Sequence, residues 1–157
     1  RKVRLHGYLR NLSSRGQMKE TLMANIAVTL KQHDATASIA TIRDHQIVMD
    51  RPEEKCGNNL GPMGGEAMLA SLGGCFMSNL RAAIAAREGT VVDEIELKIT
   101  ATLAEHPQRF SAIHMRITAD ADATQLQKLV TIAERSCIAA NTLRGAVELS
   151  VSVGRSG

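Results

Sequence analysis

Two cysteines in contrasting settings carry the chemistry this chain could do. Cys75 lies within Leu72-Gly73-Gly74-Cys75-Phe76, inside the most apolar helical stretch of the sequence. Cys137 stands at the end of an amphipathic helical stretch, in Ser136-Cys137-Ile138-Ala139-Ala140-Asn141-Thr142-Leu143-Arg144-Gly145. A thiol held in dry surroundings and a second thiol delivered by another element are the parts of a thiol redox reaction. The competing reading takes both as small core hydrophobes, since free cysteine is among the most buried residue types. A third cysteine, Cys56, falls in a loop dense in turn formers. It reads as an incidental thiol or an alternative redox partner.

The elements that must position these thiols follow from periodicity. Residues 1–20 are polar and basic and read as an N-terminal arm, followed by a single domain over 21–157. Leu22, Ala24, Ile26, Val28 and Leu30 alternate as one face of a strand, and Ala37–Ile42 and Gln46–Met49 read as two more. After the loop 51–65, a helix is predicted from about Glu66 to Arg87, apolar around nearly its whole circumference and so buried on all sides. Ile95–Leu103 and Ile113–Ile117 alternate as strands of an antiparallel sheet with one packed and one wet face. A second helix over Ala123–Ser136 and a last strand over Val147–Val153 complete the order βββ-α-ββ-α-β, an α+β domain. Gly73-Gly74 is costly inside a helix, roughly 1 kcal/mol per glycine relative to alanine. The pair fits a tight helix crossing, close access by a substrate, or both.

Bulk composition narrows the function classes. The chain has 157 residues, 44% of them hydrophobic but only 2% aromatic, and a formal net charge of +3. Small apolar side chains must therefore fill the core, and a partner subunit would add buried area. One Tyr, two Phe and no Trp leave no base-stacking platform, so no nucleic acid is expected as a partner. An odd number of cysteines argues against a structural disulfide framework and for a reducing compartment. With no signal-peptide layout and no charge-free apolar run of about 18 residues, the chain reads as cytoplasmic, with no membrane partner. No Cys-x-x-Cys occurs and the five histidines show no ligand spacing, so neither a metal nor another cofactor is expected.

Two stretches together resemble the OsmC/Ohr family, the osmotically inducible and organic-hydroperoxide-resistance proteins. Gly61-Pro62-Met63-Gly64-Gly65-Glu66-Ala67-Met68-Leu69-Ala70-Ser71-Leu72-Gly73-Gly74-Cys75 is similar to that family's Gly-Pro-x-Pro-x-Glu-Leu-Leu-Leu-Ala-Ala-Leu-Gly-x-Cys. Its second signature, Cys-Pro-x-Ser-Asn-x-x-Arg-Gly, is matched by Cys137, Asn141, Arg144 and Gly145. His45-Gln46-Ile47-Val48-Met49-Asp50 resembles the strand before the loop in the OsmC-like branch. The departures are Gly64 in place of proline and Ile138-Ala139-Ala140 in place of Pro-x-Ser.

The resemblance implies an intertwined homodimer in which a buried central helix is wrapped by antiparallel sheets. It implies reduction of organic hydroperoxides, with Cys75 attacking, Cys137 resolving as a disulfide, and an external dithiol of lipoyl type restoring both. A thiol in apolar surroundings needs a nearby positive charge to ionise. The family uses an arginine held by a glutamate, and Glu66 matches that glutamate, although a carboxylate there also suits a helix N-terminus. The turn that carries the arginine in the peroxidase branch reads Lys31-Gln32-His33-Asp34 here, leaving Lys31, Arg43, Arg51 or a residue of the N-terminal arm as candidate cations. The alternative function is non-catalytic binding of a hydrophobic small molecule in the dimer crevice.

Overall fold

Alternation in the first part of the chain produces a small sheet that stands apart from the helices. The computed structural model describes residues 25–154. The expected arm over 1–20, and Leu22 and Ala24 of the first predicted strand, lie outside them. Strands β1 (Thr29–Gln32), β2 (Ser38–Ile42) and β3 (His45–Met49) form an antiparallel sheet in the order β1-β2-β3. Leu30, Ala40 and Ile47 sit opposite one another in register, so they share one face. Ile26 and Val28 precede β1 rather than belonging to it, and both are exposed.

Asp50 ends this sheet and organises the loop that follows. Its Oδ1 accepts from the Arg51 N–H at 2.7 Å, and its Oδ2 accepts from the N–H groups of Asn58 and Leu60 at 3.1 and 3.2 Å. A short 3-10 turn, Glu53–Lys55, lies within that loop. Gly57 and Gly61 permit the loop's close returns, because a Cβ would strike the backbone of Arg51 and Val48 respectively.

Helix α1 (Gly64–Ala85) is uninterrupted by proline and ends where the Arg87 guanidinium donates to the Ala83 carbonyl at 3.0 Å. Its length and mean hydropathy of 1.2 would suffice to cross a bilayer, yet Leu72, Phe76 and Leu80 are buried in the protein core. The long hairpin β4 (Asp93–Glu105) and β5 (Gln108–Asp120) turns at His106-Pro107, with Ile113, Met115 and Ile117 facing the core. Helix α2 (Ala123–Ser136) starts at Asp122, whose Oδ1 accepts from the Gln125 N–H at 2.8 Å, and buries the stripe Leu126, Leu129, Val130 and Ala133.

Three features differ from the sequence expectation. The first is a further helix, α3 (Ile138–Leu143), which makes the order βββ-α-ββ-αα-β. The second is that β6 (Glu148–Val153) pairs with β5 in parallel, so the second sheet, ordered β4-β5-β6, is mixed rather than wholly antiparallel. The reason is connectivity: the chain leaves the end of β5, crosses through α2 and α3, and re-enters in the same direction. The third is that α1 is buried along one stripe within a single chain, not all round. Leu72, Gly73, Phe76, Leu80 and Ala83 are covered, whereas Ala70, Gly74, Ser78 and Arg81 on the opposite side are exposed. The continuous core joins α1, α2, α3 and the second sheet, and it draws no residue from β1, β2 or β3. The α+β class, with a long central helix packed on the second sheet, holds as expected.

Candidate functional site

Cys75 sits midway along α1 and is half-buried, whereas Cys137 is fully buried. Cys137 occupies the break between α2 and α3, with extended backbone (φ −78°, ψ 111°). It closes one helix and opens the next. Its Sγ accepts from the Ala140 N–H at 3.4 Å, filling the capping role usually given to an oxygen. Two side chains of the second signature pin this corner. Asn141 Nδ2 donates to the Arg135 carbonyl at 3.0 Å, and Arg144 Nη1 reaches Glu134 Oε1 at 3.2 Å. The helix break is therefore a built presentation of Cys137, and the elements around it bring Cys75 against the same core.

The two thiols are driven apart in acidity. The backbone N–H of Ala139 is the largest influence on the Cys75 thiol and holds it below its ordinary value. Partial burial opposes it, while the Cys137 thiol and the Ile138 N–H add to it. Burial pushes the Cys137 thiol up, only partly offset by the Ala140 N–H, and the neighbouring Cys75 sulfur raises it further. When this pair gives up one proton, Cys75 is the sulfur that loses it more readily and Cys137 the one that keeps it.

Glu66 is placed differently from the thiols. Its carboxylate accepts from the Met63 N–H at 2.8 Å, closing the N-terminus of α1. Nine residues of helix separate it from Cys75, a rise of ~13.5 Å, so the two groups do not touch. Among the described residues Glu66 forms no ion pair, and none of Lys31, Arg43 and Arg51 pairs with it. No side-chain cation contributes to the ionisation of Cys75 among these residues; backbone amides and the second thiol do. Cys56 is exposed, in a left-handed conformation (φ 60°) at the end of the 3-10 turn. It is no part of the Cys75 surroundings. Among the described residues, no group of three or more His, Cys, Asp or Glu side chains is placed to hold a metal.

Sequence reasoning passed over two residues. Asn79 lies one turn beyond Cys75, and its Nδ2 is 2.9 Å from the Cys75 carbonyl oxygen and 3.9 Å from Cys75 Sγ. The available signal was a polar amide four residues on, within a helix read as apolar all round. Asp50 is buried, and burial alone would raise its pKa, but the N–H groups of Leu60 and Arg51 lead a set of hydrogen bonds that lowers it below the usual carboxylate value. Its signal was an acid at a strand end, ahead of a loop rich in Gly and Asn.

Residues 57–152 match the protein family described as OsmC-like protein. No curated protein matches the sequence. Among solved structures, a hypothetical protein from Aquifex aeolicus VF5 superposes with a TM-score of 0.72 at 17% identity, covering 85% of this chain and 98% of that one. An organic hydroperoxide resistance protein from Legionella pneumophila, also described as a predicted redox protein, gives 0.65 at 19% identity, covering 84% and 99%. An organic hydroperoxide resistance protein of Bacillus subtilis gives 0.60 at 20% identity, covering 83% and 98%.

Proposed function

This chain belongs to the OsmC-like protein family, and we propose that it is a homodimeric, thiol-dependent peroxidase that reduces organic hydroperoxides. The observation that carries the reading is the placement of two free thiols against one core, Cys75 midway along α1 and Cys137 at the break between α2 and α3. Cys75 is partly accessible, with its pKa shifted down, and Cys137 is buried in the core, with its pKa shifted up. A low-pKa, accessible sulfur beside a resolving cysteine is the arrangement that cysteine peroxide chemistry uses. The names of the Legionella and Bacillus proteins, which share this fold, favour a role in peroxide stress.

The proposed reaction uses these residues in order. The Cys75 thiolate attacks the terminal oxygen of the hydroperoxide; an S–O bond forms as the O–O bond breaks. The departing alkoxide takes a proton, which Cys137 would supply in this scheme, and leaves as the alcohol. The resulting Cys137 thiolate attacks the sulfur of the Cys75 sulfenic acid, displacing hydroxide, which is protonated to water. Two thiols and one hydroperoxide thus give one disulfide, one alcohol and one water. An external dithiol, lipoyl-type by resemblance, then reduces the disulfide by exchange.

Glu66 enters this scheme through assembly. Within one chain it caps α1, and in the proposed dimer it would orient a cation towards Cys75. The exposed Met68 on α1, Ile138 at the start of α3 (72% exposed) and the apolar Leu30 and Ile47 of the first sheet are the surfaces such a dimer would cover. The reaction needs no cofactor, and a cytoplasmic location suits its dependence on a reducing thiol pool.

Consumption of cumene hydroperoxide in the presence of a dithiol tests the reading. Turnover should be lost in Cys75→Ser. In Cys137→Ser, one oxidising equivalent should instead accumulate as a sulfenic acid at Cys75, captured by dimedone. Undiminished turnover in Cys75→Ser would exclude its assigned role. A co-purifying hydrophobic molecule retained by that variant would favour binding over catalysis.

A further inference from the structure

Ser71, Ser78 and Arg81 of α1 are exposed, whereas Asn79 is a half-buried polar residue that the redox scheme leaves unused, and its position is costly unless it serves something. Asparagine is a poor helix former because its side chain competes for backbone hydrogen bonds. Ser71, one turn before Cys75 on the same face, spends its hydroxyl on the Ala67 carbonyl at 2.8 Å. Asn79 is half-buried and lies on the same face as Cys75, one helical turn away. Its Nδ2 carries two hydrogens. One is committed to the Cys75 carbonyl oxygen at 2.9 Å, which also fixes which end of the amide is the nitrogen, since Oδ1 would repel that carbonyl. The same nitrogen stands 3.9 Å from Cys75 Sγ.

We propose that Asn79 is a further catalytic residue, a side-chain donor to the Cys75 sulfur that follows the negative charge through peroxide cleavage. The proposal deepens the assignment of Cys75 as the attacking thiolate and rests on it. The amide is anchored through its first hydrogen, so the second is held near the sulfur without the entropy of ordering a free side chain. A charged sulfur draws that N–H closer, because hydrogen bonds to ionised acceptors are shorter and stronger than neutral ones. While the S–O bond forms and the O–O bond breaks, negative charge moves from sulfur to the departing oxygen. The N–H then faces the oxidised sulfur that Cys137 must attack. The other groups facing Cys75 are Cys137 and the backbone amides of Ile138 and Ala139; among the described residues no charged side chain joins them. Asn79 therefore supplies, from α1, the side of the site that α3 does not reach.

The test is the pH profile of Cys75 alkylation by iodoacetamide, followed by peptide mass mapping in the full-length chain. In Asn79→Leu, which keeps size and removes the donor, the midpoint should rise by about one pH unit, and kcat/KM for cumene hydroperoxide should fall about tenfold. In Asn79→Asp, of the same shape as the native side chain, the midpoint should rise further, since a carboxylate replaces a donor beside a thiolate. This variant also gives the answer if the leucine variant does not fold. A lowered Tm with unmoved alkylation midpoints would overturn the proposal and leave Asn79 as a helix-stabilising residue alone. The alkylation readout does not depend on peroxide turnover. A native protein that consumes no hydroperoxide, yet shows both midpoint shifts, would sink the peroxidase reading while supporting the Asn79–thiolate contact.

Discussion

At the residue scale the site is a division of labour between two sulfurs. Cys75 and Cys137 have the same side chain, and their surroundings separate them: backbone N–H groups at one, enclosure at the other. The sign of each shift fixes the pH dependence. A thiol whose pKa is lowered is already ionised below the ordinary thiol range, whereas one whose pKa is raised stays protonated above it. Alkylation of the reduced native protein at near-neutral pH should therefore modify Cys75 and spare Cys137, with Cys137 reacting only at higher pH or after unfolding. Mass mapping across pH 5 to 9 checks this order, and simultaneous modification of the two would contradict it. The contrast of settings was visible in the residues beside each cysteine. The groups that set it were not, because the amides of Ile138 and Ala139 act through backbone direction, which side-chain pattern does not encode.

At the element scale, the short helix α3 and the loop behind Asp50 do the positioning. Six residues, Ile138–Leu143, carry too few turns to show a hydrophobic period, which is why α3 escapes pattern reading. The Arg144-Gly145 end was nevertheless in view, and Gly145 adopts the positive φ of 92° that ends the corner. The long strands were legible where alternation persists, over Ile95–Ala101 in β4 and Ile113–Ile117 in β5; a register shift between Thr102 and Leu103 leaves Leu103 exposed instead of on the packed face. The parallel direction of β6 was not, since alternation is blind to strand polarity. Asp50 gives the element-scale prediction. Its pKa is lowered on folding, so it stabilises the loop above the ordinary aspartate pKa, and that support disappears as pH falls through the folded value. Amide exchange at Asn58 and Leu60 should accelerate on acidification through that range. In Asp50→Asn the same amides should exchange faster at all pH values, with the acid step gone. An acid step that persists in the variant would assign it to another group.

At the scale of the whole molecule, the chain leaves apolar surface unpaired. Ile26, Leu30, Leu60, Met68 and Ile138 are all at least 38% exposed, on a protein whose core is built largely from small aliphatic side chains. Surface of this kind is what the proposed dimer would cover. The two glycines before Cys75 divide along the same line. At Gly73 a Cβ would come within 3.0 Å of Ile99 Cδ1, so this glycine admits the chain's own sheet. At Gly74 a Cβ would meet nothing within 4 Å. In an isolated chain, Gly74→Ala should therefore add about 1 kcal/mol of stability through helix propensity. If a second copy crosses α1 at this point, as the proposed dimer requires, the same methyl should instead weaken association. Sedimentation of the native and Gly74→Ala proteins over a dilution series separates these outcomes. Undisturbed dimerisation would move the crossing elsewhere, and a native monomer at all concentrations would remove it.

The central claim is that the sulfurs of Cys75 and Cys137 exchange electrons with a peroxide as a pair, and one titration addresses it directly. The fully reduced protein, treated with one equivalent of cumene hydroperoxide per chain, should lose two thiols. Peptide mapping should place both in a single Cys75–Cys137 link, with Cys56 still free. Retention of all three thiols, or a bridge that omits Cys75, would contradict the account.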